Sequence, residues 1–324
     1  MLVELVLDDG TVGLGEAAPF PAVSGETQEA VLAALPEVRQ ALIGLSASRY
    51  RLVCGAAREV LAEVPSALSS VEGALFDALS RSARLSLLDF FGGAETELVT
   101  DVTVPTGDVA HAVAAAERAR EAGFATLKIK VGRDGIDVDA ARVRAIHAAA
   151  PAMALVLDAN AAFAAGDALR LLAELGPARL RVALYEQPTA AEDLDGLRQV
   201  QRDGGVPVAA DESARSVADV ARLARLGGVG VINVKTSKAG VLASWEMIAT
   251  ARAHGLGLMI GGMVESELSM TTSACLAAGV GGFSFVDLDT PLFMGPRPLR
   301  GGFSQRGPHL GLAHITEGHG VAVV

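Results

Sequence analysis

Lysine is scarce in this chain, and where it occurs is informative. Of the 27 basic residues only Lys128, Lys130, Lys235 and Lys238 are lysines. All four lie in two short runs, Thr-Leu-Lys-Ile-Lys and Val-Ile-Asn-Val-Lys-Thr-Ser-Lys. Where arginine supplies the other positive charges, a retained lysine is a candidate for chemistry arginine cannot do. An ammonium gives up its proton when desolvated or placed near another cation, and a guanidinium does not. Chance survival of surface lysines is the alternative reading. Carboxylates end other short β-rich runs: Asp158, Glu186, Asp211 with Glu212, and Asp287 with Asp289.

Asp158, Glu186 and Asp211 end three consecutive runs. Three neighbouring carboxylates repel one another unless a hard cation lies between them, and all-oxygen ligation suits Mg²⁺. A salt-bridged rim triad is the competing reading. Lysine-bearing runs flank the triad on both sides, which places Lys130 and Lys235 on opposite sides of it. Carboxylates that hold a Lewis acid, with a base on either face, suit removal of a proton from the carbon next to a substrate carboxylate and its return on the other face.

These side chains need a scaffold that brings strand ends together. Runs 99–105, 126–131, 154–160, 183–188, 206–213, 230–236, 257–263 and 283–289 read as strands separated by Ala/Arg/Leu helices. Strands and helices alternating in this way form a parallel α/β barrel, whose chemistry sits at the C-terminal strand ends. A doubly wound sheet is the rival, but no G-x-G-x-x-G follows the first run. Ahead of the barrel, residues 1–97 read as an α+β cap: a strand at 2–7, a turn at Asp9-Gly10, a partner strand at 11–16, then helical spacing to Phe91. The barrel is expected over 98–290, and 291–324 as a Gly/Pro-rich segment returning to the cap. Strand periodicity puts Lys128 with Lys130, and Asp287 with Asp289, on common faces.

Composition narrows the partners. The chain is 51% apolar and 20% charged, with a formal net charge of −11 and no basic cluster, which argues against a nucleic-acid surface. Cys54 and Cys275 are too few for a disulfide framework and lack metal-ligand spacing. The first basic residue is Arg39, so a signal-peptide n-region is absent, and no apolar run reaches the length of a membrane span. A cytoplasmic enzyme with a small-molecule substrate is expected, with homo-oligomerisation open.

In its ordered motifs the chain resembles the enolase superfamily, and within it the muconate-lactonizing subgroup. The motifs are Lys128-Ile-Lys130, Leu157-Asp158-Ala159-Asn160, Tyr185-Glu186-Gln187-Pro188, Ala210-Asp211-Glu212-Ser213, and Asn233-Val234-Lys235 with Lys238. The resemblance implies a modified (β/α)8, or (β/α)7β, barrel that uses Mg²⁺. It implies Asp158, Glu186 and Asp211 as metal ligands, Lys130 and Lys235 as paired acid/base groups, and Lys128 against the substrate carboxylate. Asn160, Glu212 and Lys238 take supporting places. Asp287-Leu288-Asp289 resembles the Asp-x-Asp motif of dipeptide epimerases, where two carboxylates hold the dipeptide's ammonium. Thr103, Met263 and Glu265 match positions that line the substrate pocket. The His-Asp base pair of the mandelate-racemase subgroup is not evident, since His254 has no matching Asp. Family members begin with a further strand and a lid loop upstream of Leu2, so either Met1 is not the true start or the cap lacks that strand and part of the lid. The resemblance implies inversion of the α-carbon of a dipeptide's C-terminal residue by two-lysine proton transfer through an enediolate. The alternatives are o-succinylbenzoate synthesis, N-acylamino acid racemisation or muconate cycloisomerisation, and a truncated relative that only binds ligand.

Overall fold

The computed structural model describes residues 1–324. The chain opens with an antiparallel hairpin of β1 (Leu2–Val6) and β2 (Val12–Glu16), with Val6 opposite Val12. At its turn the Thr11 N–H donates to Asp9 Oδ1 at 2.8 Å. The hairpin lies flush on the helix Pro65–Ser82, because a Cβ on Gly13 or Gly15 would overlap the backbone oxygen of Ala74 or Ser70. Helices Gln28–Leu42 and Tyr50–Leu61 complete the unit. Thr27 caps the former by accepting from Ala30 N–H, and Pro65 starts the 65–82 helix where its missing N–H costs nothing. Val31, Val38, Ala57, Leu61, Leu68 and Val71 form the core between them.

Eight parallel strands follow, hydrogen-bonded in sequence order: β4 (Val102–Val104), β5 (Thr126–Lys130), β6 (Ala154–Asp158), β7 (Val182–Glu186), β8 (Val208–Ala210), β9 (Val231–Val234), β10 (Gly257–Gly261) and β11 (Phe285–Asp287). Each of the eight expected runs supplies one of them. The first departs from expectation, since 99–105 is not one strand. Its start belongs to β3 (Glu97–Val99), which pairs outside the barrel, and only Val102–Val104 joins the parallel sheet. Between them the backbone changes partners: Thr100 N–H donates to Pro308 O and Asp101 N–H to Val286 O, both at 2.9 Å. The second bond begins a seam between β4 and β11. Thr100 Oγ1 accepts from Leu288 N–H at 3.0 Å and donates to Val286 O at 3.3 Å, and Thr103 N–H donates to Asp289 Oδ2 at 2.6 Å.

The last segment holds β12 (Leu299–Gly301), β13 (Ser304–Arg306), β14 (His309–Gly311) and β15 (Val321–Val323). β14 pairs with β3, and β12 with β15. The return to the cap is made by His319, buried with its N–H on Asp77 Oδ1 at 2.9 Å and Nε2 3.1 Å from Leu14 O. Among the described residues no single helix is long and apolar enough to cross a membrane.

Two cap carboxylates reach the barrel. Glu16, at the end of β2, accepts from the N–H groups of Ser266 and Ser269 and so caps the helix Glu267–Val280 across the domain boundary. Glu72, fully buried on the 65–82 helix, accepts from Leu242 N–H at 2.8 Å at the start of the helix Val241–Ala253. That helix begins just beyond the short turn carrying Lys238, and Gly240 has no room for a Cβ against the Glu72 carboxylate. Glu72 Oε1 has no hydrogen-bond partner, its nearest cation being Arg58 at 3.7 Å.

Burial pushes the Glu72 carboxyl up from the ordinary 4.5 to about 7, against the Leu242 N–H and Arg58. A carboxyl raised on folding makes the folded chain bind more protons than the unfolded one between those two values. Stability from this group therefore falls as pH rises through that window. Glu72→Gln keeps an acceptor for Leu242 and cannot ionise, so the variant should lose less stability than wild type between about pH 5 and about pH 8. Urea-unfolding midpoints at the two pH values test this, and parallel slopes in both proteins would show that Glu72 is not the source.

Candidate active site

Parallel register sets the site. Lys130, Asp158 and Glu186 are aligned neighbours on β5, β6 and β7, while Lys128 lies one layer lower opposite Thr103 of β4. Asp211 and Lys235 immediately follow β8 and β9. Two residues before the carboxylates, Val156, Leu184 and Ala209 pack with Val231 and Met259 into an apolar plug inside the barrel. The charged groups thus sit on a dry floor, where their mutual interactions are strong.

Lys128 Nζ, 2% exposed, is 2.6 Å from Asp287 Oδ2, 2.9 Å from Glu186 Oε2 and 3.0 Å from Asp158 Oδ2. Lys130 Nζ donates to Asp158 Oδ2 at 2.6 Å and Asn160 Oδ1 at 2.8 Å. Lys235 Nζ donates to Asp211 Oδ2 at 2.8 Å. Lys238 Nζ holds Asp211 Oδ1 and donates to Asp211 O at 2.7 Å and Asn233 O at 3.1 Å. The two lysines expected to act as bases thus engage different carboxylates of the triad, from β5 and from the end of β9.

These pairings split the carboxylates electrostatically. Burial raises the Asp158 carboxyl, but Lys128, Lys130 and Lys235 outweigh it and hold the group well below the carboxylate range. Asp211 is likewise held down by Lys235 and Lys238 against burial. Glu186 goes the other way, pushed to about 7 by burial and the Asp158 charge. Burial lowers the Lys235 ammonium, yet Asp211 and Glu186 hold it above its ordinary value.

The triad fits a hard divalent cation on one observation in particular. Glu186 Oε2 is fully buried and accepts no hydrogen bond; Lys128 Nζ is near it but not in hydrogen-bonding alignment. Glu186 Oε1 is already fixed by Asn233 Nδ2–H at 2.7 Å, so Oε2 is the atom left for a ligand. The carboxylates that converge most tightly in side-chain geometry are a different set. Oxygens of Asp101, Asp287 and Asp289 lie within 4.8 Å of one another. Both sets touch the Lys128 ammonium, the second through Asp287 and the triad through Asp158 and Glu186.

Other expected residues fall at varied distances from this centre. Asn160 bridges Lys130 and Glu212, donating to Glu212 Oε1 at 3.3 Å. Thr103 presents its backbone N–H to Asp289. Met263 lines a cleft with Asp211, Glu212, Lys238 and the cap residues Val23 and Glu26. The carboxylate of Glu265, expected beside it in the substrate pocket, ties two segments together: Oε2 accepts from Met263 N–H at 2.7 Å and from Ser237 Oγ–H at 3.2 Å. Lys128, expected to meet a substrate carboxylate, is enclosed by protein carboxylates. Sequence reasoning passed over Asp101 as well as Gln187, whose side chain accepts from the N–H groups of Asp211 and Ser213 at 2.9 and 3.1 Å and fixes the loop after β8. Gln187 adjoins Glu186 in a motif and so carried a signal.

Residues 1–92 match the mandelate racemase / muconate lactonizing enzyme N-terminal domain, and residues 111–323 the enolase C-terminal domain-like family. An aromatic dipeptide epimerase of Herpetosiphon aurantiacus is 47% identical over 99% of this chain and 90% of its own length. A mandelate racemase/muconate lactonizing enzyme of Roseiflexus superposes with TM-score 0.97 at 48% identity, covering 100% of this chain and 92% of the other. A dipeptide epimerase of Enterococcus faecalis, solved with Mg and L-Leu-L-Tyr, superposes with TM-score 0.94 at 32% identity, over 99% and 91% of the two chains.

A buried ion pair secures the Lys130 strand end from behind. Arg142 and Asp139, both fully buried, pair at 2.5 Å. Arg142 Nη2–H donates to Lys130 O at 2.9 Å, and Asp139 Oδ2 accepts from Gly132 N–H at 2.7 Å. Arg142 Nη1–H also meets Asp134 Oδ2 at 2.8 Å, so it is the loss of Arg142 that leaves the buried Asp139 charge uncompensated, which costs about 3–5 kcal/mol. Arg142→Met should lower the urea midpoint by the equivalent of that amount, and adding Asp139→Leu should restore part of it. A single variant as stable as wild type would remove the pair from this role.

Proposed function

The chain belongs to the mandelate racemase/muconate lactonizing enzyme family of the enolase superfamily, and from that membership we propose that it is a Mg²⁺-dependent dipeptide epimerase. The observation that carries the reading is the pair of lysines, Lys130 and Lys235, set on different carboxylates of one buried triad. The 47% identity to an aromatic dipeptide epimerase supports the substrate class. Asp158, Glu186 and Asp211 would hold Mg²⁺, which supplies positive charge to offset what develops on the substrate carboxylate when the α-proton leaves.

The chain's own residues supply the rest. One lysine, as neutral amine, takes the α-proton of the C-terminal residue from one face. The other, as ammonium, gives a proton to the opposite face, and the roles exchange in the reverse direction. Lys238 and Gln187 hold Asp211 in place, and Asn233 does the same for Glu186. The apolar plug beneath keeps water from the floor of the site. Asp287 and Asp289 favour a substrate with a free ammonium, which an N-acylamino acid or a muconate lacks.

Exhaustive chelation should abolish epimerisation and added Mg²⁺ should restore it, with Glu186→Gln also weakening Mg²⁺ binding in calorimetry; full activity after chelation would sink the metal-assisted reading. In D₂O, either epimer of a substrate dipeptide should take up deuterium at the C-terminal α-carbon. Lys130→Met and Lys235→Met should each stop epimerisation, while each retains exchange of the one epimer whose α-proton faces the remaining lysine. Failure to label any member of a broad dipeptide library would leave a ligand-binding protein in place of the enzyme.

A further inference from the structure

Asp101 stands at the seam where the barrel closes. It immediately precedes β4, and its backbone N–H is bonded to Val286 O of β11 at 2.9 Å. Its side chain is 3% exposed, and Oδ1 is buried without a hydrogen-bond partner. A carboxyl kept in that state costs free energy unless a ligand or a water meets it. It converges within 4.8 Å on Asp287 and Asp289, from the other edge of the seam. The groups facing it are Asp287 and Asp289 from the β11 side, Lys128 from β5 and Glu186 from β7; burial, then the two aspartates, push its carboxyl well above the usual range.

We propose that Asp101 is the third acceptor of a cradle for the substrate's ammonium group, acting with Asp287 and Asp289 as a specificity-determining residue. This rests on the dipeptide reading above. A primary ammonium has three N–H donors, and the cradle offers three carboxylates. Asp287 Oδ2 is committed to Lys128 and Asp289 Oδ2 to Thr103 N–H, so each has its other oxygen to offer, and Asp101 has Oδ1. Lys128 also touches Glu186 and Asp158, so a substrate with its carboxylate at the triad and its ammonium in the cradle spans that one lysine.

The test uses Asp101→Asn, which keeps the shape and removes the group's capacity to ionise against an ammonium. The probes are free dipeptides, L-Leu-L-Tyr first, and their desamino counterparts such as 4-methylpentanoyl-L-Tyr, followed by deuterium uptake at the tyrosine α-carbon. Wild type should favour the free dipeptide. The variant should lose about ten- to a hundredfold in kcat/KM for it, mostly in KM, with little loss for the desamino probe. Its thermal midpoint should hold or rise, because a buried carboxyl crowded by two aspartates has become an amide that cannot ionise, and its Mg²⁺ affinity should stay unchanged. Equal losses on both probes together with a lower thermal midpoint would make Asp101 structural. Weakened Mg²⁺ binding would make the cluster a metal site, and an unchanged KM would remove Asp101 from recognition; each overturns the proposal. If wild type itself labels no free dipeptide, or labels the desamino probe as well as the free one, the dipeptide reading falls first and takes the cradle with it.

Discussion

A single buried ammonium makes the mouth of this barrel possible. Lys128 Nζ stands within 3.0 Å of carboxylates from β6 and β7 and closer still to Asp287 of β11. Without it, acidic groups on three strands would face one another over an apolar floor, where like charges repel with little screening. Burial alone drives an ammonium toward its neutral form, and here the three carboxylates outweigh it, so Lys128 stays charged well above the ordinary lysine range. It is compact enough to reach oxygens in three directions, whereas a planar guanidinium directs its donors into one fork.

Around that lysine the basic side chains differ in how firmly they are held. Lys128 and Lys238 are tied down by several oxygens each, while Lys130 keeps a side chain 32% exposed at the edge of the cleft. The holding groups are themselves held. Arg142 and Asp139 secure the strand end of Lys130, Gln187 secures the loop of Asp211, and the cap's Glu72 fixes the helix start beyond Lys238. Glu16 does the same for the loop after β10, so the cap's hairpin sets the helix next to Met263.

The parts of the site that could be read in the chain were those with a local rhythm. Lys128 and Lys130 share a strand face, as do Val156 with Asp158 and Leu184 with Glu186, and a spacing of two residues is visible without coordinates. The eight runs were recognisable because they recur at regular intervals between Ala/Arg/Leu helices, and six of them carry a charged group at or near their end. Contacts made across the fold left no such trace. Asp101 precedes a strand whose start belongs to another sheet, so its position relative to Asp287 follows only from how the seam closes. Glu265 was placed in the pocket from its neighbours, but that its carboxylate meets Met263 N–H two residues away and Ser237 Oγ–H from the segment after β9 could not be read from them. The 139–142 pair reads in sequence as an ordinary surface-helix spacing, and only packing reveals that both charges are inside.

The seam gives this barrel an uneven stiffness. Neighbouring strands elsewhere are joined by ladders, but β4 and β11 meet through one backbone bond from Asp101 and side-chain stitches from Thr100 and Asp289. A hoop deforms first at its weakest joint, so the slow breathing of this cylinder should concentrate there. That joint is also lined by the acidic groups of the cradle. A cation bridging them would act as a clasp, turning the loosest stave of the empty barrel into one of its tightest and tying recognition of the substrate to rigidity of the whole ring.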